Sequence, residues 1–282
     1  MIPRKVSVIL STFNRTKALY IALLCLCRQD DDNFEIIVAD DGSDQETAKV
    51  VHDIKCQFPK IGIFHVWQEK KGFRLARIRN LAVNKAVGDY LIFLDGDCLT
   101  PPNFIRRHRS LAEEGWAVYG QRVLANKLYS KHLEANPNIV TAVSFWNVSN
   151  FLLQFIHQRI NRIFPILFMW GEDWRKRRPY YWQKIRGCNW AMWHKDYLAI
   201  YGSDESFEGW GSEDKDVAIR LINNKIKMKD GRNALYVLHL WHPYATRDNS
   251  EYNLNIVKQR SKSNITKPNK SIFLPTSKNS HE

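Results

Sequence analysis

Two hydrophobic periods alternate along the first hundred residues, and that alternation constrains the fold more than any other property of the chain. Short β-branched runs at 6–10, 34–39, 61–67 and 89–94 read as strands, and helical patterns fill the gaps at about 16–29, 45–58 and 74–87. The strand runs are continuously apolar. Both of their faces are therefore expected to be buried, as in a parallel sheet covered by helices. Ligands of such sheets bind beyond the carboxyl ends of the strands. Three of these exits are polar here: Ser11-Thr12-Phe13-Asn14-Arg15, Asp40-Asp41-Gly42-Ser43-Asp44 and Asp95-Gly96-Asp97. On one sheet edge they would form a single site.

The rest of the chain reads less regularly. Residues 125–186 hold two apolar aromatic runs, 151–156 and 163–170, interleaved with Arg159, Arg162, Arg175, Lys176, Arg177, Arg178, Lys184 and Arg186. A strand-like stretch covers 187–193 and a loop 202–211. A helix is expected from Ser212, as N-cap, to Asn224, followed by a strand near 235–241. From about Asn249 the chain is rich in Ser, Asn and Lys without a period, which reads as a mobile tail. The expected division is 1–124, a basic aromatic helical insertion at 125–186, a second half at 187–248, and a tail at 249–282.

Bulk properties narrow the partners. The net charge is +13, which suits nucleic acid, an anionic membrane or small anionic substrates. The 10 Trp and 11 Tyr suit a core and also ring-stacking sugar clefts. The 5 Cys form an odd set without a C-x-x-C pair. That argues against a disulfide framework and fits a reducing, cytoplasmic setting. No apolar run approaches the roughly 20 residues of a membrane span, so peripheral membrane contact is the form open to it.

Several clusters carry chemistry. In Asp95-Gly96-Asp97, two carboxylates at a strand exit suit Mg²⁺ or Mn²⁺ shared with phosphate oxygens, with Gly96 letting backbone approach a diphosphate. A plain Asp-Gly turn is the alternative. Asp41 can accept from a base ring N–H, while Ser43 or Asp44 suits a helix N-cap. Arg74, Arg77 and Arg79 open a helix against its dipole, which calls for a nearby anion; pairing with Glu69 or Asp89 is the alternative. Trp210, between glycines, offers an indole face to a sugar. Glu213 and Asp214 could supply a general base, or merely fill an acidic first turn. His239 and His242 could ligate metal or be structural.

Taken together, 6–9, 40–43, 72–74 with 78–80, 95–97 and 209–214 resemble family 2 glycosyltransferases of the GT-A fold. The resemblance is to the chondroitin-polymerase-like branch, with a C-terminal motif like that of the β-1,4-galactosyltransferases. It covers about 4–245 apart from the insertion. It implies an α/β fold, with a Rossmann-like nucleotide-binding half on a mostly parallel sheet and an acceptor-binding half. It also implies an inverting, metal-dependent hexosyltransferase using a UDP-sugar, acting in bacterial surface polysaccharide or lipo-oligosaccharide assembly. Ser11 and Phe13, with Arg15 of the same exit, would line the nucleoside pocket. Asp41 would bind the base, Arg74 and Arg79 would lie near the nucleotide, and Trp210 would contact donor and acceptor. Asp97 would bind metal, with Asp95 on ribose or metal. Asp214 would be the base beside Glu213. His239 matches the family's later metal ligand, with His242 as the other choice. Ser212 departs from the glycine of the galactosyltransferases.

The implied partners are a UDP-sugar and a glycan or lipid-linked glycan acceptor. The basic insertion, through charges such as 175–178, could dock on an anionic membrane surface or lipid-linked acceptor; a helical subdomain with core aromatics and solvated charges is the alternative. A nucleic-acid-binding protein and a nucleotidyltransferase are the competing readings. The first lacks a recognised motif, so no nucleic-acid partner is expected. The second lacks a Gly-rich phosphate loop.

Overall fold

A computed structural model describes residues 2–163, 167, 172–243 and 248–275. Most of the second aromatic run, 163–170, lies outside these residues. The expected alternation is present as β1 (Val6–Thr12), α1 (Thr16–Leu26), β2 (Phe34–Asp40), α2 (Gln45–Gln57), β3 (Gly62–Trp67), α3 (Leu75–Lys85) and β4 (Tyr90–Asp95). There follow β5 (Cys98–Leu99), α4 (Phe104–Leu111), β6 (Trp116–Tyr119), β7 (Gln121–Leu124), α5 (Lys127–Ala135) and α6 (Val148–Ile156). The remaining elements are β8 (Asn189–Trp193), α7 (His194–Ala199), α8 (Glu213–Asn223), β9 (Lys227–Asp230), β10 (Tyr236–His239) and α9 (Ser250–Arg260).

Seven strands form one sheet in the order β3-β2-β1-β4-β8-β6-β9, and β5-β10-β7 form a second. β8 alone runs antiparallel in the large sheet, between β4 and β6. Within the continuous apolar runs, alternate residues serve opposite layers. Val8, Leu10, Ile36 and Ile92 pack with α1 and α2 residues such as Leu19, Leu23 and Ile54. Ile9, Ile37 and Phe93 pack with Ile78 of α3 and Val217 and Leu221 of α8. Trp190 of β8 stacks on Phe93 at 5.0 Å.

The aromatic insertion covers the small sheet. Phe145, Trp146 and Phe151 join Tyr236 and Leu238 of β10 and Ile21 of α1 in one buried cluster. Part of its charge is also internal. Arg175 is 3% exposed and donates to the carbonyls of Asp230 and Arg232. Lys176 pairs with Glu113 at 2.7 Å. Within the 175–178 run, Arg175 and Lys176 are thus engaged internally, while Arg177 and Arg178 are exposed: a buried guanidinium needs acceptors, and two carbonyls supply them.

Two local expectations fail. Ser212 stands at the start of α8 with φ 75 and makes no side-chain cap bond, so it turns the chain without capping the helix. The segment from 249 is not tail throughout, because α9 docks on α8. Arg260, 4% exposed, pairs with the fully buried Asp204 and Asp216, and Phe273 meets Tyr197 edge-on at 6.3 Å. An Arg260→Ala variant would leave these carboxylates short of their cation. It should lose about 3 kcal/mol of stability, read as a lower denaturant midpoint.

Candidate active site

β1, β2 and β4 are paired in parallel, which brings Ser11 beside Asp95 and Thr12 beside Asp40 at one edge. Arg79 gathers this edge. It comes from the second turn of α3, is 1% exposed, and points back over the strand ends. Its Nε donates to Ser11 Oγ at 3.2 Å, and its Nη2 donates to Asp95 Oδ1 at 3.2 Å and to the Gly187 carbonyl at 2.8 Å. Its Nη1 reaches Glu213 Oε1 of α8 at 3.4 Å. One guanidinium thus joins four chain segments far apart in sequence.

The three arginines of α3 differ in fate. Arg79 has protein carboxylates as its anions. Arg77 donates to Gln68 Oε1 at 2.8 Å and lies 3.8 Å from Glu205. Arg74 donates through its guanidinium to the Glu69 carbonyl and through its backbone N–H to Asp41 Oδ2 at 3.0 Å. No bound anion is needed to explain the helix start. Asp89, the other expected partner, instead accepts from the backbone N–H groups of Arg4 and Lys5.

Asp41 is buried and also accepts from Gln68 Nε2 at 2.6 Å, with Lys70 Nζ 3.5 Å away. Lys70 in turn sits 3.6 Å over the Phe13 ring. Asp41, Gln68, Lys70 and Phe13 are therefore linked at the β1 and β2 exits. Asp44 begins α2 without a side-chain cap bond, and Ser43 Oγ accepts from the Asn14 N–H, tying the first two exits together.

A second group surrounds Asp97. Its Oδ1 lies 3.5 Å from His239 Nε2 and its Oδ2 lies 3.6 Å from His242 Nε2. The three ligand-type atoms lie within 4.8 Å of one another. Strand β10 ends at His239, and Leu240 N–H then donates to the Asp97 carbonyl at 2.9 Å. That bond turns the chain and brings His242 back onto the same carboxylate, so both histidines reach the site. Burial holds the His239 imidazole below its ordinary pKa, with Asp97 and Asp95 opposing the shift. Oxygen and imidazole ligands together suit a divalent cation such as Mn²⁺. Arg15 Nη1 pairs with Asp97 Oδ2, while its Nη2 donates to the Trp241 carbonyl at 3.1 Å and lies 3.6 Å from Glu134.

Gly96 serves packing. Its N–H donates to the Ser11 carbonyl at 2.7 Å, and a Cβ there would sit 3.0 Å from that oxygen and 3.2 Å from Thr12 Cβ. Burial pushes the Asp95 carboxyl up, Arg79 opposes this, and Asp97 adds to it. Burial and the adjacent Asp214 push Glu213 up to about 7. Asp214 Oδ1 accepts from the Lys215 N–H at 2.8 Å. Trp210 is 43% exposed between Gly209 and Gly211, at φ 77 and φ 106, where a side chain would be strained.

Sequence reasoning missed Gln68, Glu134 and Arg122, whose charge bears on both Asp95 and His239. None lies in a motif, and each reaches the site only through tertiary pairing. A cavity of about 330 Å³ beside the Asp97 group is lined by Arg15, Lys17, Lys127, Lys131, Glu134 and Trp241, among others.

Comparison with known proteins gives consistent results. Residues 7–171 match the profile described as glycosyl transferase family 2, and residues 171–243 match one described as N-terminal domain of galactosyltransferase. Chondroitin synthase of Escherichia coli is 26% identical over 230 residues, covering 76% of this chain and 32% of that protein. The chain thus spans about a third of that relative's length. Among solved structures, Staphylococcus aureus TarS 1-349 in complex with UDP-GlcNAc superposes with a TM-score of 0.62 at 14% identity, over 91% of this chain and 66% of that one. A mannosyltransferase from Pyrobaculum calidifontis, in complex with GDP-Man and Mn²⁺, gives 0.57 at 16% identity, over 92% and 61%. The shared architecture is the GT-A fold.

Proposed function

The chain belongs to glycosyl transferase family 2, and from that premise we propose that it transfers a hexose or N-acetylhexosamine from a UDP-sugar to a hydroxyl of a glycan acceptor, with inversion. The observation that carries this reading is Arg79, which ties Ser11 and Asp95 of the strand exits to Glu213 of the acidic helix start. A donor-side edge and a candidate base thereby share one cleft. The named ligands of the TarS and mannosyltransferase complexes, UDP-GlcNAc and GDP-Man with Mn²⁺, support a nucleotide-sugar donor and a divalent cation.

The β1 and β2 exits at Phe13 and Asp41 would hold the nucleoside, with Asp41 beside the base. Asp97, His239 and His242 would hold Mn²⁺ or Mg²⁺, which when bound stabilises negative charge on the leaving diphosphate. Asp95 has its partner in Arg79 and is left to contact the ribose. Trp210 would lay its exposed indole against sugar. Asp214 is assigned the base because Glu213 is held by Arg79. The acceptor O–H proton passes to Asp214 as the oxygen bonds to the anomeric carbon. The bond from that carbon to the diphosphate breaks, and its electron pair leaves with UDP. A single displacement inverts the configuration.

Asp214→Asn tests the assignment. Transfer should fall by about 10²- to 10⁴-fold, with an unchanged melting temperature. Release of UDP separates sugar transfer from nucleotidyl transfer, which would release pyrophosphate. Full activity in the Asn variant would remove Asp214 from the base role.

A further inference from the structure

Helix α6 inverts the usual pattern of a surface helix. Its inward residues are Phe151 and Gln154, while Val148, Leu152, Leu153, Phe155 and Ile156 are 44%, 46%, 50%, 42% and 65% exposed. Helical geometry places these five on one arc of roughly 160°. Only Ser149 interrupts it. Such a face costs hydrophobic free energy in water and marks an interaction surface.

The surroundings of the arc are basic. Lys127, Lys131, Arg159 and Arg162 are exposed in the same segment, and Glu134 is the sole carboxylate in 126–163. Glu134 is not exposed with them but lies 3.6 Å from Arg15. The Arg159 guanidinium lies 5.8 Å over the Tyr129 ring of α5 and donates to Gln154 Oε1 of α6 at 2.9 Å, which ties this cation to both helices.

We propose that this face of α6 docks the protein on an anionic phospholipid surface. The apolar arc enters the boundary between headgroups and acyl chains, and the cations remain at the level of the phosphates. The attachment is peripheral, because no described helix is long and apolar enough to cross a membrane. Phe151 and Trp146 of the insertion pack on Tyr236 of β10, and β10 ends at His239. The docking face and the Asp97 group therefore rest on the same small sheet, which holds the site near the lipid. The proposal goes beyond the transferase reading and does not depend on it.

Flotation of the full chain with vesicles tests this without any turnover. Wild type should float with phosphatidylglycerol-rich vesicles and not with pure phosphatidylcholine. Leu152→Ser/Ile156→Ser should weaken partition roughly tenfold while leaving the melting temperature intact. Lys131→Ala/Arg162→Ala should weaken it and flatten its salt dependence. If the apolar double variant loses its fold, Phe155→Ser repeats the test at one position. Failure of wild type to float with the anionic vesicles, or equal flotation of the apolar variants, overturns the proposal. So does a wild-type dimer that Leu152→Ser/Ile156→Ser converts to monomer, because a second copy then covers the face.

Discussion

Asp97→Asn is expected to abolish transfer, lowering kcat by at least about a thousandfold, and to remove measurable Mn²⁺ binding in calorimetry. The substitution keeps the shape and takes away the charge. Asp97 is the one carboxylate that both His239 and His242 face, at 3.5 Å and 3.6 Å. With an amide in its place, the two imidazoles alone would be left to hold a dication. The fold should survive, because the bond from Leu240 N–H goes to the Asp97 backbone carbonyl and not to the side chain. An unchanged melting temperature is therefore part of the expected result. Unaltered Mn²⁺ affinity in this variant would move the metal elsewhere.

Arg79→Ala should damage both activity and stability. Its guanidinium is the cation shared by Asp95 and Glu213, with a side chain 2% exposed. Removing it leaves Glu213, 11% exposed, and the part-exposed Asp95 without their shared cation, at an expected loss of roughly 3 kcal/mol. Calorimetry should read this as a melting temperature lower by about 10 °C. Arg79→Lys separates charge from shape. Lysine restores a cation but cannot donate to Ser11, Asp95, Glu213 and the Gly187 carbonyl at once. It should recover much of the stability and little of the activity. Full transfer in Arg79→Lys would reduce the residue to a counter-charge.

These two residues were found differently. Asp97 is visible in the sequence because buried parallel strands announce their own ends: a run of β-branched residues stops and acids begin. Arg79 is visible only as one of three arginines at a helix start, and the sequence does not say which of them turns inward. The structure separates them by helical phase, with Arg79 on the face shared with Ile78 and Ala82 and Arg77 turned toward Gln68 and Glu205. The choice between His239 and His242 was illegible because strand periodicity stops at His239. Helix α9 was missed because it docks through the ion pairs of Arg260, leaving no wide apolar stripe to read. Phe145, Trp146 and Phe151 of the insertion are core over the small sheet. The outward arc of α6 follows from phase about that core, and no local period announced which side would be covered.

The strand order has a consequence for how the molecule comes into being. β8 lies between β4 and β6, β9 closes the edge beyond β6, and β10 lies between β5 and β7. Neither half of the chain owns a finished sheet. A chain that ran only through β7 would leave one edge of β4 unpaired and could not align β6, however well β1 to β4 had paired. The boundary near residue 171 between the two matched profiles is thus not a boundary between the sheets, since strands from both sides of it are paired in each. Asp97, His239 and His242 are brought together only once β10 is in place between β5 and β7.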